Sequence, residues 1–342
     1  GDHLQPVSCE RLARWGLLED FFAAGAERRL GSRYLDPDGE LVLHAPVDEL
    51  DIPYPYYLYL DHERITQQLL AAAARNPNFA LLKPANAKLL RDGQRFALEV
   101  DDGQRRRLRA QLIVAADGRQ SGLRRAAGLD AELHRYQNPL LILFAPRTFA
   151  DPRNEVRAYF GPRAIISVIP RCGDQWKIGW PVASEELPAW RQAGEAELGE
   201  RLAALVPELA GIRPRLAGIY PVAMVTAPRW HRDNLVLLGD ACHAMHPGRS
   251  QGMNIAIRAA AQLADRVGAD GVLDDEARLA AALDAHEALA AELAPRLADN
   301  HARGLEMDRL DPAAVAALRE KLAAVAADPA RRQAYCLAAA GY

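Results

Sequence analysis

Asn234-Leu-Val-Leu-Leu-Gly-Asp-Ala-Cys-His-Ala-Met-His-Pro247, followed by Gln251-Gly-Met-Asn254, is the stretch that decides the fold. Leu235 to Leu238 are continuously apolar, the pattern of a short strand covered on both faces in a parallel sheet. Gly239-Asp240 closes the strand, Pro247-Gly248 shapes a loop, and from Gly252 a helical period sets Ile255, Ala259 and Leu263 on one face. A second stretch repeats the plan: Leu112-Ile113-Val114-Ala115-Ala116 is apolar throughout and stops at Asp117-Gly118. Two such strands, each ending in a Gly/Asp pair and each followed by a helix, describe the carboxyl edge of a parallel sheet, where nucleotides bind in open α/β folds.

Upstream, the chain opens on a predicted helix. Ser8 is available as N-cap, Leu12, Trp15, Leu18 and Phe22 recur at helical spacing, and Gly25 is placed to end it. A hairpin follows, turning at Asp36-Pro37-Asp38-Gly39 between Arg33-Tyr34-Leu35 and Glu40 to Leu43. Another helix is predicted from an N-cap at Asp61 to about Arg75, with Ile65, Leu69 and Ala72 on one face. Short strands are expected at Ala80 to Leu82, Ala87 to Leu90 and Phe96 to Val100. From about Asn138 to Val225 strand patterns dominate, including Leu140 to Phe144, Ala164 to Ile169 and Trp176 to Trp180, with one helix near Glu195 to Leu205. This predicts an antiparallel sheet, in which the Trp and Tyr residues from Trp176 to Tyr220 form core or line a substrate pocket. The chain closes in alanine-rich helix, and no linker or repeat separates the parts, so any two-domain division is interleaved.

Half of the 342 residues are hydrophobic, enough to bury a substantial core. A net charge of −3 supplies no basic field for a phosphate backbone, and no nucleic-acid partner is expected. Apolar runs such as Leu69 to Ala74 fall far short of the ~20 residues that cross a bilayer. The first residues also lack a signal peptide's charged and apolar regions, so a cytoplasmic enzyme with no membrane partner is expected. Cys9, Cys172, Cys242 and Cys336 lie far apart without paired spacing, which predicts reduced structural thiols. Cys242, His243 and His246 bring three metal-type donors together, yet a structural zinc site needs four, and no metal is expected.

The two Gly/Asp edges together resemble the para-hydroxybenzoate hydroxylase family of FAD-dependent monooxygenases. Asn234 to Pro247 with Gln251 to Asn254 looks like that family's second FAD-binding motif. Ile113-Val-Ala-Ala-Asp-Gly-Arg-Gln-Ser121, with Arg124 after it, looks like its Asp-Gly motif, in the family's order and at similar separation. The opening Gly1-Asp2-His3-Leu4-Gln5-Pro6 is similar to the segment after the family's second nucleotide-binding strand. The resemblance implies an α/β fold: an FAD-binding Rossmann-like parallel sheet interleaved with an antiparallel-sheet substrate domain, then C-terminal helices. Residues 1–27, 56–135 and 228–275 are assigned to the first, 28–55 and 136–227 to the second, and 276–342 to the helices.

Carried over by position, the residues expected to bind the cofactor are Gly239, Asp240, Pro247, Gly252, Met253, Asn254, Asp117, His62 and Arg124. Asp240 would hold the ribityl chain, Gly239 would turn the backbone sharply, and Pro247 would shape the loop. The helix start at Gly252 would place about half a positive charge near the flavin ring. Met253 and Asn254 would contact that ring, and Asp117 would lie near the pyrophosphate. Arg124 lies beside the same pyrophosphate or is an ordinary surface charge. His62 stands where the family often places Arg or Gln against the flavin, or is a solvated helix-start residue. Ser250 replaces the usual glycine before Gln-Gly, and Arg258 stands where an acid is common.

No GxGxxG occurs, and the family's opening strand, glycine turn and helix would lie upstream of Gly1. Without that central strand several backbone groups would stay unpaired at ~1–3 kcal/mol each, so roughly 30–45 further residues are expected upstream. The reaction implied by the resemblance uses NADH or NADPH to reduce FAD. O2 then forms a C4a-hydroperoxide, whose distal oxygen passes to a small aromatic or polycyclic substrate. Oxygen transfer itself demands no side-chain acid or base, so no catalytic residue is named. The rivals are an FAD-dependent dehydrogenase or reductase on the same fold, a serine hydrolase at Ser250 of Gly248-Arg-Ser-Gln-Gly252, and a non-catalytic fragment.

Overall fold

Period-two alternation builds the largest sheet. In the computed structural model, which describes residues 3–342 apart from the side chain of Arg249, seven strands lie side by side. Their order is Arg215–Tyr220, Leu140–Pro146, Gln175–Pro181, Ile165–Arg171, Val156–Phe160, Gly31–Leu35 and Leu41–Pro46. Neighbours are antiparallel except Val156–Phe160 beside Gly31–Leu35. Leu141, Leu143, Ile166, Val168, Trp176, Ile178 and Trp180 all fall on one face and are buried against Trp190, Leu198 and Leu202 of the helices Leu187–Gln192 and Glu195–Leu205. Gly199 permits that approach, since a Cβ there would run into the carbonyl oxygen of Ile212. Trp176, Trp180 and Trp190 are therefore core, whereas Tyr220 is exposed.

A buried charge centre stiffens the same sheet. Glu155 is fully buried, yet its carboxylate accepts from Arg33 Nε at 2.7 Å, His44 Nε2 at 2.9 Å and Arg153 Nε at 2.8 Å. Burial alone would push its pKa up. The bonds from Arg153, His44 and Arg33 outweigh that and hold it below the ordinary glutamate value.

This sheet belongs to a compact unit of residues 3–72, 136–222 and 303–342. The unit also holds an antiparallel trio, His3–Leu4, Tyr57–Tyr59 and Glu27–Arg29, and the helix His62–Ala73 up to Ala72. Its terminal helices, Pro312–Ala326 and Pro329–Ala340, each start on a capping aspartate, Asp311 or Asp328, with proline at the first turn. The single opening helix expected from the sequence is in fact two, Pro6–Arg14 and Leu18–Ala23. Pro6 fixes the start with Gln5 as N-cap, which leaves Ser8 inside the helix, and Gly16 breaks the run with φ +69°.

The second unit comprises residues 73–135 and 223–302. Its centre is the parallel pair Ile113–Ala115 and Leu235–Leu237, with His231–Arg232 antiparallel beside the latter. An antiparallel trio, Asn86–Asp92, Arg95–Asp101 and Arg105–Arg109, and the pair Glu132–Arg135 with Ala223–Thr226 complete its strands. Val236 packs against Leu263, Leu279 and Leu283 of the helices Gly252–Val267 and Glu276–Glu287, and the helix Leu289–Asp308 belongs to this unit through Ala302.

Three local expectations change here. Ala80 to Leu82 is not a strand, and Arg105–Arg109 is one although its arginines hide any alternation; all four of them pair with Asp92, Asp101 or Asp102. Leu235 to Leu237 are fully buried as a two-sided strand should be, but Val114 is 43% exposed between buried Ile113 and Ala115. An apolar run marks a strand without counting the layers that cover it.

The compact units also group the chain differently from the division expected above. Residues 3–27 and 56–72 cluster with the large antiparallel sheet, and 276–302 cluster with the parallel pair. Gly1 and Asp2, the first residues of the opening segment, lie outside the described residues. No helix among the described residues is long and apolar enough to cross a membrane.

Candidate functional site

Parallel register brings both Gly/Asp pairs to one edge. Leu235 lies opposite Ile113 and Leu237 opposite Ala115, and Leu238 N–H donates to Ala115 O at 2.9 Å. The strands therefore end level, and Asp117-Gly118 and Gly239-Asp240 leave the sheet together.

Gly239 has φ +62° and ψ −137°, a backbone that L side chains rarely adopt. Its carbonyl oxygen accepts the N–H of Cys242 at 3.0 Å and of His243 at 2.9 Å, starting the helix Asp240–His243. The Asp240 carboxylate stays 44% exposed, with Arg119 Nη2 4.0 Å away.

Asp117 is turned to local work. Its carboxylate accepts from Ser121 Oγ and from Leu123 N–H at 3.1 Å, while Ser121 caps the helix Gly122–Ala126 through Arg124 N–H at 2.9 Å. Arg124 is neither a surface charge nor aimed outward. It is buried, donating from Nη1 to Ala241 O at 2.6 Å and from Nη2 to Arg119 O at 3.2 Å, so it ties the two edge loops together. Burial, and then the neighbouring Arg125, lower its pKa from the usual guanidinium value.

Residues 244–251 form the loop before the long helix. His246 Nδ1 accepts from Gly248 N–H at 3.2 Å, Ser250 N–H donates to Pro247 O at 3.0 Å, and Pro247 and Gly248 are exposed. Ser250 sits in the left-handed region at φ +50°, ψ +32°. This explains the glycine expected at that position: a side chain there costs about 1 kcal/mol of backbone strain. Ser250→Gly is accordingly expected to raise the unfolding free energy by up to about 1 kcal/mol in urea titrations, and an unchanged midpoint would show the strain to be absent.

The helix Gly252–Val267 starts with no side-chain cap and no acidic residue in its first turn. Asn254 is buried and donates from Nδ2 to Ser250 O at 2.9 Å, whereas Met253 is half-buried. Ile255, Ala259 and Leu263 are buried as the helical period requires.

Of the expected residues, Gly239, Asp240, Pro247, Gly252, Met253, Asn254, Asp117 and Arg124 share this unit, while His62 is exposed at a helix start in the other. Asn300 was not anticipated: one asparagine in an alanine-rich helix carries no local signal, yet it accepts from His246 N–H at 2.8 Å and donates to His246 O at 3.1 Å.

The serine-elbow reading fails on geometry. The strand ends at Leu237, and the helix Asp240–His243 and the turn Pro247–Arg249 precede Ser250, so no strand runs into the serine. Cys242 Sγ is buried and donates to Gly239 O at 3.3 Å, and burial raises its thiol pKa.

Known proteins agree with this architecture. The family described as FAD binding domain matches residues 1–300. Ubiquinone hydroxylase UbiL of Rhodospirillum rubrum is 29% identical over 292 residues, covering 83% of this chain and 66% of that protein. Protoasukamycin 4-monooxygenase of Streptomyces nodosus subsp. asukaensis is 29% identical over 280 residues, covering 78% of this chain and 68% of that protein. The chain thus spans about two thirds of the length of these relatives. The crystal structure of p-nitrophenol 4-monooxygenase from Pseudomonas putida DLL-E4 shares the fold, with a TM-score of 0.82 at 20% identity over 98% of this chain and 86% of that one. With both Gly/Asp edges level on one sheet and a family match over most of its length, the chain belongs to the FAD binding domain family, and its relatives include a hydroxylase and a monooxygenase.

Proposed function

We propose that this protein is a cytoplasmic FAD-dependent monooxygenase that uses NADH or NADPH and O2 to hydroxylate a small aromatic or polycyclic molecule. The observation that carries the proposal is the shared edge where Asp117-Gly118 and Gly239-Asp240 leave two parallel strands in register. The monooxygenase and hydroxylase relatives support the same reaction class.

The residues at this edge fit the cofactor. FAD offers ribityl hydroxyls, a pyrophosphate and a ring that gains negative charge on reduction. The edge offers an exposed acceptor carboxylate at Asp240, open space beside the α-carbons of Gly118 and Gly252, and an uncapped helix start. Asp240 would accept from the hydroxyls, Gly239 would keep the backbone clear, and the amides opening the helix Gly252–Val267 would favour the ring's developing charge. Asp117 and Arg124, whose side chains are already engaged, would shape the loops rather than hold the cofactor directly. Bound FAD supplies the redox chemistry, and the protein's share is to place the ring, exclude water and admit substrate. The antiparallel sheet supplies the proposed substrate domain, with Leu140, Phe144, Ile165, Ser167, Ile169 and Lys177 half-buried on the face opposite its core.

The deciding measurement is nicotinamide oxidation by the full-length protein across phenols, quinolines and polyketides under 18O2. Substrate-stimulated turnover with labelled oxygen in the product is expected. Reduced substrate would establish a reductase instead, substrate oxidised without labelled oxygen a dehydrogenase, and a full-length protein without yellow colour would overturn the flavin assignment.

A further inference from the structure

Two buried asparagines clamp backbone in the unit of residues 73–135 and 223–302, at opposite ends of the same strand. Asn234, just before Leu235–Leu237, accepts from Phe96 N–H at 2.7 Å and donates to Phe96 O at 3.1 Å and Ala110 O at 3.0 Å. Asn300, from the helix Leu289–Asp308, does the same for the loop beyond the strand's other end. Its Oδ1 accepts from His246 N–H at 2.8 Å, and its Nδ2 donates to His246 O at 3.1 Å. Both side chains are almost fully buried, at 1% and 3% exposure.

A primary amide suits this task because one donor and one acceptor stand side by side, matching the N–H and C=O of a single residue. Aspartate would keep only the acceptor and set a carboxylate against the carbonyl oxygen of His246. Leucine would keep neither and leave two buried backbone groups without partners.

The restraint spreads along the loop. With the His246 backbone fixed, its Nδ1 accepts from Gly248 N–H at 3.2 Å. At the far end Asn254 Nδ2 donates to Ser250 O at 2.9 Å. Ser250, with its left-handed backbone, lies between the two anchors. A strained residue held at both ends relaxes when either anchor is removed.

We infer that Asn300 is a positioning residue for the flavin site: it holds residues 244–251 in the shape that presents the start of the helix Gly252–Val267, and so sets the affinity for FAD. This rests on the flavin reading of that edge. The role is indirect, because Asn300 bonds the loop backbone rather than the cofactor.

The test compares the full-length wild type with Asn300→Leu, Asn300→Asp, Asn234→Leu and the double variant Asn300→Leu/Ser250→Gly. Read-outs are FAD dissociation constants from flavin-fluorescence titration, urea unfolding of the apoprotein, and amide exchange at Gly248 and Ser250. Asn300→Leu is expected to weaken FAD binding roughly tenfold or more and to speed exchange at both amides, with Asn300→Asp intermediate. Should Asn300→Leu not fold, Asn300→Asp carries the comparison.

Asn234→Leu, which removes an equivalent clamp away from the loop, is expected to destabilise the apoprotein as much as Asn300→Leu does while weakening FAD binding several-fold less. Adding Ser250→Gly to Asn300→Leu should recover several-fold in affinity, because the loop then needs less restraint. Wild-type affinity in both Asn300 variants would overturn the inference, as would FAD losses in Asn300→Leu and Asn234→Leu that simply track their losses in stability. A wild type that binds no FAD would instead overturn the flavin reading itself.

Discussion

Glu155→Ala lowers the unfolding free energy by about 3 kcal/mol, the low end of the cost of breaking a buried ion cluster. The low end applies because Arg33 and Arg153 keep 38% and 31% of their side chains exposed and can turn partly to water once the carboxylate is gone. Glu155 itself is fully buried and gathers strands far apart in sequence: Arg33 lies in Gly31–Leu35 and His44 in Leu41–Pro46. Glu155→Gln should cost less than alanine, because the amide keeps one acceptor oxygen. Urea denaturation at pH 7 measures both. A loss below about 1 kcal/mol for alanine would mean that Arg33, His44 and Arg153 are satisfied without the carboxylate.

Acid exposes a second weakness, in the other unit. Trp230 packs against two buried imidazoles, its ring centroid 5.3 Å from that of His243 and 5.6 Å from that of His286. Neither ring nitrogen of either histidine has a hydrogen-bond partner among the described residues. Burial, then Arg266, His243 and His231, depress the pKa of His286 from 6.5 to about 4, against a smaller opposing pull from Glu287. Burial likewise lowers that of His243.

A depressed histidine pKa means that the unfolded chain takes up the proton first. Stability is therefore complete above pH 6.5, falls as the pH drops below it, and the loss from His286 saturates near pH 4. Its contribution amounts to about 3 kcal/mol at 1.36 kcal/mol per unit, with His243 adding in the same direction. Glu155, held below the ordinary carboxyl range, stays ionised through most of this window and does not mimic the effect. Unfolding free energies measured from pH 7 to pH 4.5 for the wild type and His286→Phe test the claim. The variant should show a clearly shallower slope, and equal slopes would place the acid sensitivity elsewhere.

The sheet edge was legible because its signals are local. Four apolar residues, a Gly/Asp pair and a helical period lie within one short stretch, and each constrains the backbone through its immediate neighbours. The same holds for the hairpin turn at Asp36 to Gly39 and for the alternation that buries Trp176, Ile178 and Trp180 on one face. Where local signals conflicted, the boundaries moved: Pro6 took the helix start from Ser8, and arginine side chains concealed the strand Arg105–Arg109.

By itself, then, the sequence determined the α/β class and the two strands that carry the Gly/Asp edges, and it marked Ser250 as standing where a glycine is usual; the left-handed backbone there came from the structure. Tertiary structure alone decided which side chains face the edge and which hold it. Arg124 turns inward to Ala241, Asn300 reaches His246 across 54 positions, and Glu155 meets Arg33 across 122. Those contacts depend on how distant elements register and on the unmet hydrogen-bonding needs of backbone they bury. A single chain read along its length contains no term for either.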